Sequence, residues 1–499
     1  MCDRIRDPAL MKRITTAEEV AGWFKPGMTV GSSGFTPAGY PKLVPQALAR
    51  RIASEGTPFQ IDLIAGASVG PELDGALAEV GAIRRRIPYQ SDALLRRQIN
   101  AGLVEYRDIH LSHLSPEIRA GDYGDIDIAV IEAHAITEDG HLIPTTSVGI
   151  SPTLARVAKR VVVELNTTHP LELEGIHDIW IPRDQPLRDP IPMVKAQNRI
   201  GLPWIQLGSD RIDAIVLSDV PDQPSAFHPP TEVETRIAEL LLDFVRHEQD
   251  RGRLPRGLPW QSGVGGVANA VLQGFLHADY HHLEFYSEVL QDSVLDLVDA
   301  GILCFASGCS VTLSAEGTAR LHKDIRRYKR HLVLRPMELS NNPELIRRLG
   351  VIAVNTAVEA DIYGHVNSTH VKGGHILNGI GGSGDFERNA YLSMFVTPST
   401  RAGGRVSSIV PFASHIDHSE HSVKVIVTEQ GLADVRGLSP RQVAREVIQK
   451  CAHPDYRPML QDYYDRAVRE VGGHEPHLLR EAFAMHVRHM ETGDMRPRG

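Results

Sequence analysis

Short runs of β-branched and aliphatic residues recur along the chain, each followed by a longer segment whose apolar positions repeat at helical spacing. Residues 59–64, 126–131, 161–163, 214–217, 351–354 and 425–427 are such runs. Their alternation with helical segments predicts an α/β fold with mostly parallel sheet. The Pro-rich stretch 221–230 interrupts the alternation and leads into a helix predicted over 231–249. A polar break of this kind places the domain boundary there, giving domains 1–225 and 226–499.

The two sides of that boundary read alike. In the first, a strand carries Glu132-Ala133-His134-Ala135 into a turn at Gly140 and a returning strand at 141–143. In the second, Val358-Glu359-Ala360-Asp361 is followed by a turn at Gly364 and a returning strand at 365–367. Further on, 160–164 matches 424–429, so the order of landmarks is kept. The pattern predicts two related open α/β domains, and a chain of this length has room for an active site at their interface. About forty extra residues in the second half include the Gly-rich run 378–385.

Composition narrows the possible functions. The chain has 499 residues, 42 % hydrophobic and 23 % charged, with a formal net charge of −9, and its cations are scattered. A nucleic-acid partner would require a concentrated basic face, so none is expected. The opening residues lead into no apolar leader and no apolar run reaches membrane-spanning length, so neither export nor a membrane partner is expected. Cys2, Cys304, Cys309 and Cys451 are too few and dispersed for a disulfide framework, which fits a cytoplasmic protein.

Four segments invite chemistry. Gly263-Val264-Gly265-Gly266-Val267 is a Gly-rich turn opening a helical pattern, where backbone amides can approach a phosphate or an oxyanion. It also fits a loose dinucleotide pattern, but 258–261 reads as a poor preceding strand, and a plain turn stays open ahead of that reading. The run 378–385 exposes further amides, or forms a surface loop. Glu288, with Ser287 as helix N-cap, is placed in a first helical turn, where the helix dipole favours its ionised form; an ordinary first-turn glutamate gives the same pattern. His415, His418 and His421 are spaced by three with no Cys nearby, and no metal is expected. Cys304 and Cys309 read as small buried hydrophobes.

Several segments together resemble the acetyl-CoA hydrolase/transferase group of class I CoA transferases over nearly the whole chain. They are 34–42 (Gly-Phe-Thr-Pro-Ala-Gly-Tyr-Pro-Lys), 287–292 beginning Ser-Glu-Val, 359–364, 378–385 and 428–434. The resemblance implies a CoA-transferase (NagB-like) fold and CoA exchange between small carboxylic acids. Glu288 would be the nucleophile, with acyl-CoA and carboxylates as substrates and no cofactor beyond coenzyme A itself. By the same resemblance the amides of Val267 and Gly382 serve as oxyanion donors, Gly263 to Val267 with Asn378 and Gly382 line the CoA site, and Asn341 contacts the reacting centre. Glu429 and Ser68 would flank the carboxylate pocket. Two positions depart from the family pattern. Ala402 replaces an expected lysine, leaving Arg401 as the cation for CoA, and Gln223 stands where an arginine is expected. An acetyl-CoA hydrolase on the same residues, a non-catalytic CoA-sensing protein and a nicotinamide-dependent dehydrogenase are the competing expectations, and a homodimer is the expected assembly.

Overall fold

The structure, a computed structural model, describes residues 3–67, 70–224, 228–263, 265–278 and 280–497. It divides into two compact units, Met1–Phe227 with His282–Leu349, and His228–His281 with Gly350–Gly499. The chain therefore passes from one unit to the other three times.

In the first unit the strands Ile14–Thr15, Ile212–Ser218, Arg160–Asn166, Ile128–Ile136, Thr29–Ser32, Ile61–Ile64, Ile83–Ile87 and Glu105–Tyr106 lie side by side in that order, all parallel. Leu142–Pro144 folds back antiparallel on Ile128–Ile136. All nine residues of Ile128–Ile136 are buried, as expected of a parallel strand covered on both faces. Val20, Phe24, Leu48, Leu63 and Val130 belong to the core on one face. The segment returning at residue 282 carries the mutually parallel strands Leu283–Tyr286, Leu303–Gly308 and Leu332–Leu334, which are not members of that sheet.

The second unit aligns Trp260–Ser262, Ile352–Thr356, Leu392–Val396 and Val425–Thr428 in parallel, with Gly431–Asp434 antiparallel at the edge. Helix Glu232–Asp250 opens with a complete capping box between Thr231 and Glu234, close to the predicted 231–249. Among the described residues, no helix is long and apolar enough to cross a membrane.

The α/β architecture is as the sequence pattern predicts, and the two units share a strand order. Thr29–Ser32, Ile128–Ile136, Arg160–Asn166 and Ile212–Ser218 are neighbours in the first as Trp260–Ser262, Ile352–Thr356, Leu392–Val396 and Val425–Thr428 are in the second. This order corrects one pairing of landmarks. Arg160–Asn166 adjoins the strand before it as Leu392–Val396 does, so its counterpart is 392–396 rather than 424–429. It also corrects the reading of 258–261. Trp260–Ser262 is a fully buried strand despite Pro259, because the proline precedes the ladder and leaves every strand amide available.

Candidate active site

Glu288 occupies a break between two strands rather than a helical turn. Leu283–Tyr286 pairs with Leu303–Gly308, and Val289–Leu290 pairs with Ser310–Val311; Glu288 and Cys309 stand opposite each other at the interruption. Both Cys309 N (2.6 Å) and Ser310 N (3.0 Å) donate to the Glu288 carbonyl, pinning the backbone at the kink. Gly308 makes room for it, since a Cβ there would lie 2.7 Å from Leu290 Cγ and 3.2 Å from Glu288 O. The helix expected to begin at Glu288 is Asp292–Asp299, with Gln291 at the N-cap position. Ser287 is therefore not an N-cap, and no helix dipole acts on Glu288 in its first turn; what the strand break supplies instead is a half-buried carboxylate standing off a rigid sheet.

That carboxylate is met by Asn341, whose Nδ2 donates to Glu288 Oε1 at 2.7 Å. Asn341 is fully buried and ends the short helix Met337–Ser340. A bidentate fork holds this helix: Arg119 Nη1 and Nη2 each donate to a Glu338 oxygen at 2.8 Å, with both side chains almost inaccessible. Asn342 then caps helix Pro343–Leu349 through Glu344 N at 3.0 Å. Cys309 is buried, and burial raises its thiol pKa well above the ordinary value, with Glu288 adding to the shift. Cys304, by contrast, is exposed, which corrects the expectation that both cysteines are buried.

Also in the first unit, Lys42 Nζ is sealed between Glu132 (2.6 Å) and Asp222 (2.8 Å). Burial pushes Glu132 up to about 7 in spite of Lys42, whereas for Asp222 the ammonium and the Thr146 hydroxyl overcome burial and lower the pKa. Asp222 and Gln223 line a 310 Å³ cavity with Ala38, Thr146, His169 and Thr312. Gln223 donates its amide to Glu72 at 2.6 Å. Spacing alone did not mark Glu132 or Asp222 as members of a charge cluster, because they are ninety residues apart. Ser68 and Val264 lie outside the described residues.

The second unit gathers the other predicted residues. Gly263 N donates to Val354 O at 3.0 Å, and Gly265, at φ 117°, turns the chain into helix Gly266–His277. Val267 stands in its first turn, where amides lack intrahelical acceptors. A Cβ on Gly266 would lie 1.9 Å from Glu234 Oε1, so only glycine admits that carboxylate beside the helix start. In the other Gly-rich run, Gly382 is the N-cap of helix Ser383–Asn389, and residues 382–385 are buried. Asn355 ties the two runs together. Its Nδ2 donates to Gln261 Oε1 (3.0 Å) and Glu387 Oε1 (2.7 Å), while Gln261 Nε2 donates back at 3.1 Å. Neither Gln261, Asn355 nor Glu387 carries a motif; two amides and an acid on separate strands and a helix become a network only through the fold.

Glu429 accepts from Ser399 N at 2.8 Å, from the Ser399 hydroxyl, and from Gln430 Nε2 at 3.0 Å. Burial opposes its ionisation, but these donors outweigh it and lower its pKa. Arg401 donates to Ala357 O (2.8 Å) and Thr397 Oγ1 (3.1 Å), and burial lowers its pKa. Ala402 follows it at φ 52°.

Comparison with known proteins identifies the wider group. Residues 2–220 match the acetyl-CoA hydrolase/transferase N-terminal domain and residues 317–464 the C-terminal domain. The chain belongs to the acetyl-CoA hydrolase/transferase family. Within it, succinyl-CoA:acetate CoA-transferase of Clostridium kluyveri is 47 % identical, covering 99 % of this chain and 92 % of that protein. Propanoyl-CoA:succinate CoA transferase of Escherichia coli is 44 % identical (96 % and 98 % covered), and acetyl-CoA hydrolase of Schizosaccharomyces pombe is 44 % identical (99 % and 98 %). Among solved structures, RipA from Yersinia pestis shares the fold at TM-score 0.70 and 23 % identity, covering 91 % of this chain and 97 % of that one. The family's transferase and hydrolase names fit the resemblance drawn from the motifs.

Proposed function

We propose that this enzyme exchanges CoA between small carboxylic acids through a glutamyl-CoA thioester on Glu288. The observation that carries the reading is the Glu288 carboxylate, held off a strand break by Asn341 with its own carbonyl pinned by two amides. In this reading Glu288 attacks the thioester carbonyl of an acyl-CoA, forming a mixed anhydride and expelling CoA thiolate. The thiolate attacks the glutamyl carbonyl, the C–O bond of the anhydride breaks, and the first carboxylate leaves. An incoming carboxylate reverses both steps, so the thioester bond energy is conserved and no net proton is taken up.

Amides suit the oxyanions of these steps because they are neutral donors in a site already crowded with carboxylates. Val267 and Gly382 take that role, Gly263 to Val267 with Asn378 and Gly382 hold CoA, and Arg401 contributes a cation. Glu429 and Ser68 belong to the carboxylate pocket; the fixed hydrogen bonds of Glu429 to Ser399 suit a residue that shapes a pocket rather than one that reacts. Cytoplasmic location and homodimeric assembly are parts of the same proposal, the latter checked by light scattering.

The test is incubation of the protein with acetyl-CoA, with and without succinate, propionate or butyrate. A new acyl-CoA without free CoA is expected. Acceptor-independent release of CoA would instead favour the hydrolase reading, which several relatives carry in their names. Glu288→Ala should lose nearly all turnover while retaining CoA binding, and borohydride should reduce a CoA-thiolated Glu288 peptide only in the wild type. Substantial transfer by that variant would overturn the assignment.

A further inference from the structure

The second unit brings together three side chains that the proposed chemistry does not use. One ring nitrogen of His370, one of His415 and one oxygen of Asp417 lie within 4.8 Å of one another. The two imidazoles face each other with centroids 3.8 Å apart and planes tilted by 37°, and His415 Nε2 is 3.0 Å from Asp417 Oδ1. We propose that His370, His415 and Asp417 form a binding site for a borderline divalent transition-metal ion, Zn²⁺ in the first place, that straps the hairpin His370–Val371/His375–Ile376 to the segment 415–417.

The orienting groups of such a site are already in position. Asp417 is nearly buried and accepts from Ser368 N (2.6 Å) and from Thr369 Oγ1 (2.8 and 2.9 Å). The same Thr369 hydroxyl lies 2.6 Å from His370 Nδ1, so one residue fixes both a carboxylate and an imidazole, as the outer partners of metal ligands do. Around an ion with bonds of about 2.0 to 2.1 Å, tetrahedral ligand atoms are about 3.3 Å apart. The His415–Asp417 contact meets that spacing, and the remaining gap of at most about 1.5 Å is within reach of rotation of His415, which is 42 % exposed. An ordinary ion pair accounts for His415 with Asp417, but not for a second imidazole laid against the first. Two nitrogens and one oxygen favour zinc, cobalt or nickel over magnesium or calcium.

The other histidines that sequence spacing grouped with His415 are engaged elsewhere. His418 is buried with Nε2 3.2 Å from Ser383 Oγ, and His421 pairs with Glu420 at 2.9 Å. The hairpin carrying His370 leads directly into the Gly-rich run, with Leu377 N donating to Thr369 O at 2.7 Å. Its tip, Lys372 to Gly374, is exposed. An ion would therefore restrain the stem from which that run departs.

Full-length protein freed of metal with a chelator should bind one Co²⁺ per chain with the visible absorption of a low-symmetry site, displaced by Zn²⁺. His370→Ala and His415→Ala should each abolish that equivalent, and Thr369→Val, which keeps all three ligands, should weaken it about 10- to 100-fold. Zn²⁺ should also slow tryptic cleavage after Lys372 in the wild type but not in the two histidine variants, a readout that requires only that each variant keeps its far-ultraviolet circular dichroism. The proposal is overturned by absence of stoichiometric binding, by binding that survives loss of both histidines, or by binding lost in His421→Ala instead.

Discussion

Asn341 has one amide and two demands on it. Its Nδ2 serves Glu288, while its Oδ1 is buried without a hydrogen-bond partner among the described residues. A fully buried amide whose oxygen goes unpaired is costly, and the contact to Glu288 is what the side chain supplies in return. Asn341→Ala should lower kcat roughly 10- to 150-fold, the equivalent of about 1.5 to 3 kcal/mol for a hydrogen bond to a charged group, with KM for acyl-CoA little changed. A raised KM at unchanged kcat would assign Asn341 to substrate binding instead. At this scale the sequence was half legible. The Ser-Glu-Val motif singled out Glu288, yet the helix-dipole argument for its charge does not hold, because a two-residue strand separates it from the helix. Short strands have too few residues to show alternation, so nothing in the local pattern could have revealed the break.

Helix Leu43–Glu55 begins without a capping side chain of its own. A carboxylate from a distant strand does the work: the amides of Lys42 (2.7 Å), Leu43 (3.0 Å) and Val44 (3.1 Å) all donate to Glu164, which is completely buried. Desolvation raises the Glu164 pKa despite those donors. Glu164→Ala should destabilise the first unit by about 2 kcal/mol or more, the upper range for losing a helix cap, seen as a lower urea midpoint. No change would mean that water replaces the carboxylate. The long, apolar elements were the legible ones here, as residues 128–131 of the run 126–131 and all of 214–217 lie in observed strands. Caps supplied from elsewhere in the chain, like the Asn355 amide network, leave no local signature to read.

For the molecule as a whole, the alternation of strand and helix was enough to read an α/β fold and two related halves, because parallel strands covered on both faces must be apolar throughout. The strand neighbours within each unit were not legible, since sheet order is set by crossovers and not by periodicity. Burial of histidine gives a further global prediction. Desolvation lowers His177 from 6.5 to about 4, and its Nε2 lies 2.9 Å from Thr145 O. The unfolded imidazole takes up a proton as pH falls through 6.5, and the folded one only near 4, so its contribution to stability is lost across that interval. Glu132, raised by burial, titrates in the opposite sense, so the comparison must be with a variant. His177→Gln should gain stability relative to wild type as pH falls from 6.5 toward 4, by up to about 1.4 kcal/mol per pH unit. Parallel denaturation curves across that range would refute a neutral buried His177.

The order in which the ribosome delivers these residues matters too. The first unit takes Met1–Phe227 and also His282–Leu349, so it stays incomplete while the intervening residues and then its own last strands emerge. At roughly 5 to 20 residues per second, the interval between residues 227 and 349 is on the order of ten seconds. During that time a mostly parallel sheet lacks part of its unit, and nascent chains arrested before residue 349 should be the protease-sensitive ones. Glu288 and Asn341 arrive with the late segment, so completing the first unit and installing the proposed nucleophile are one event in biosynthesis.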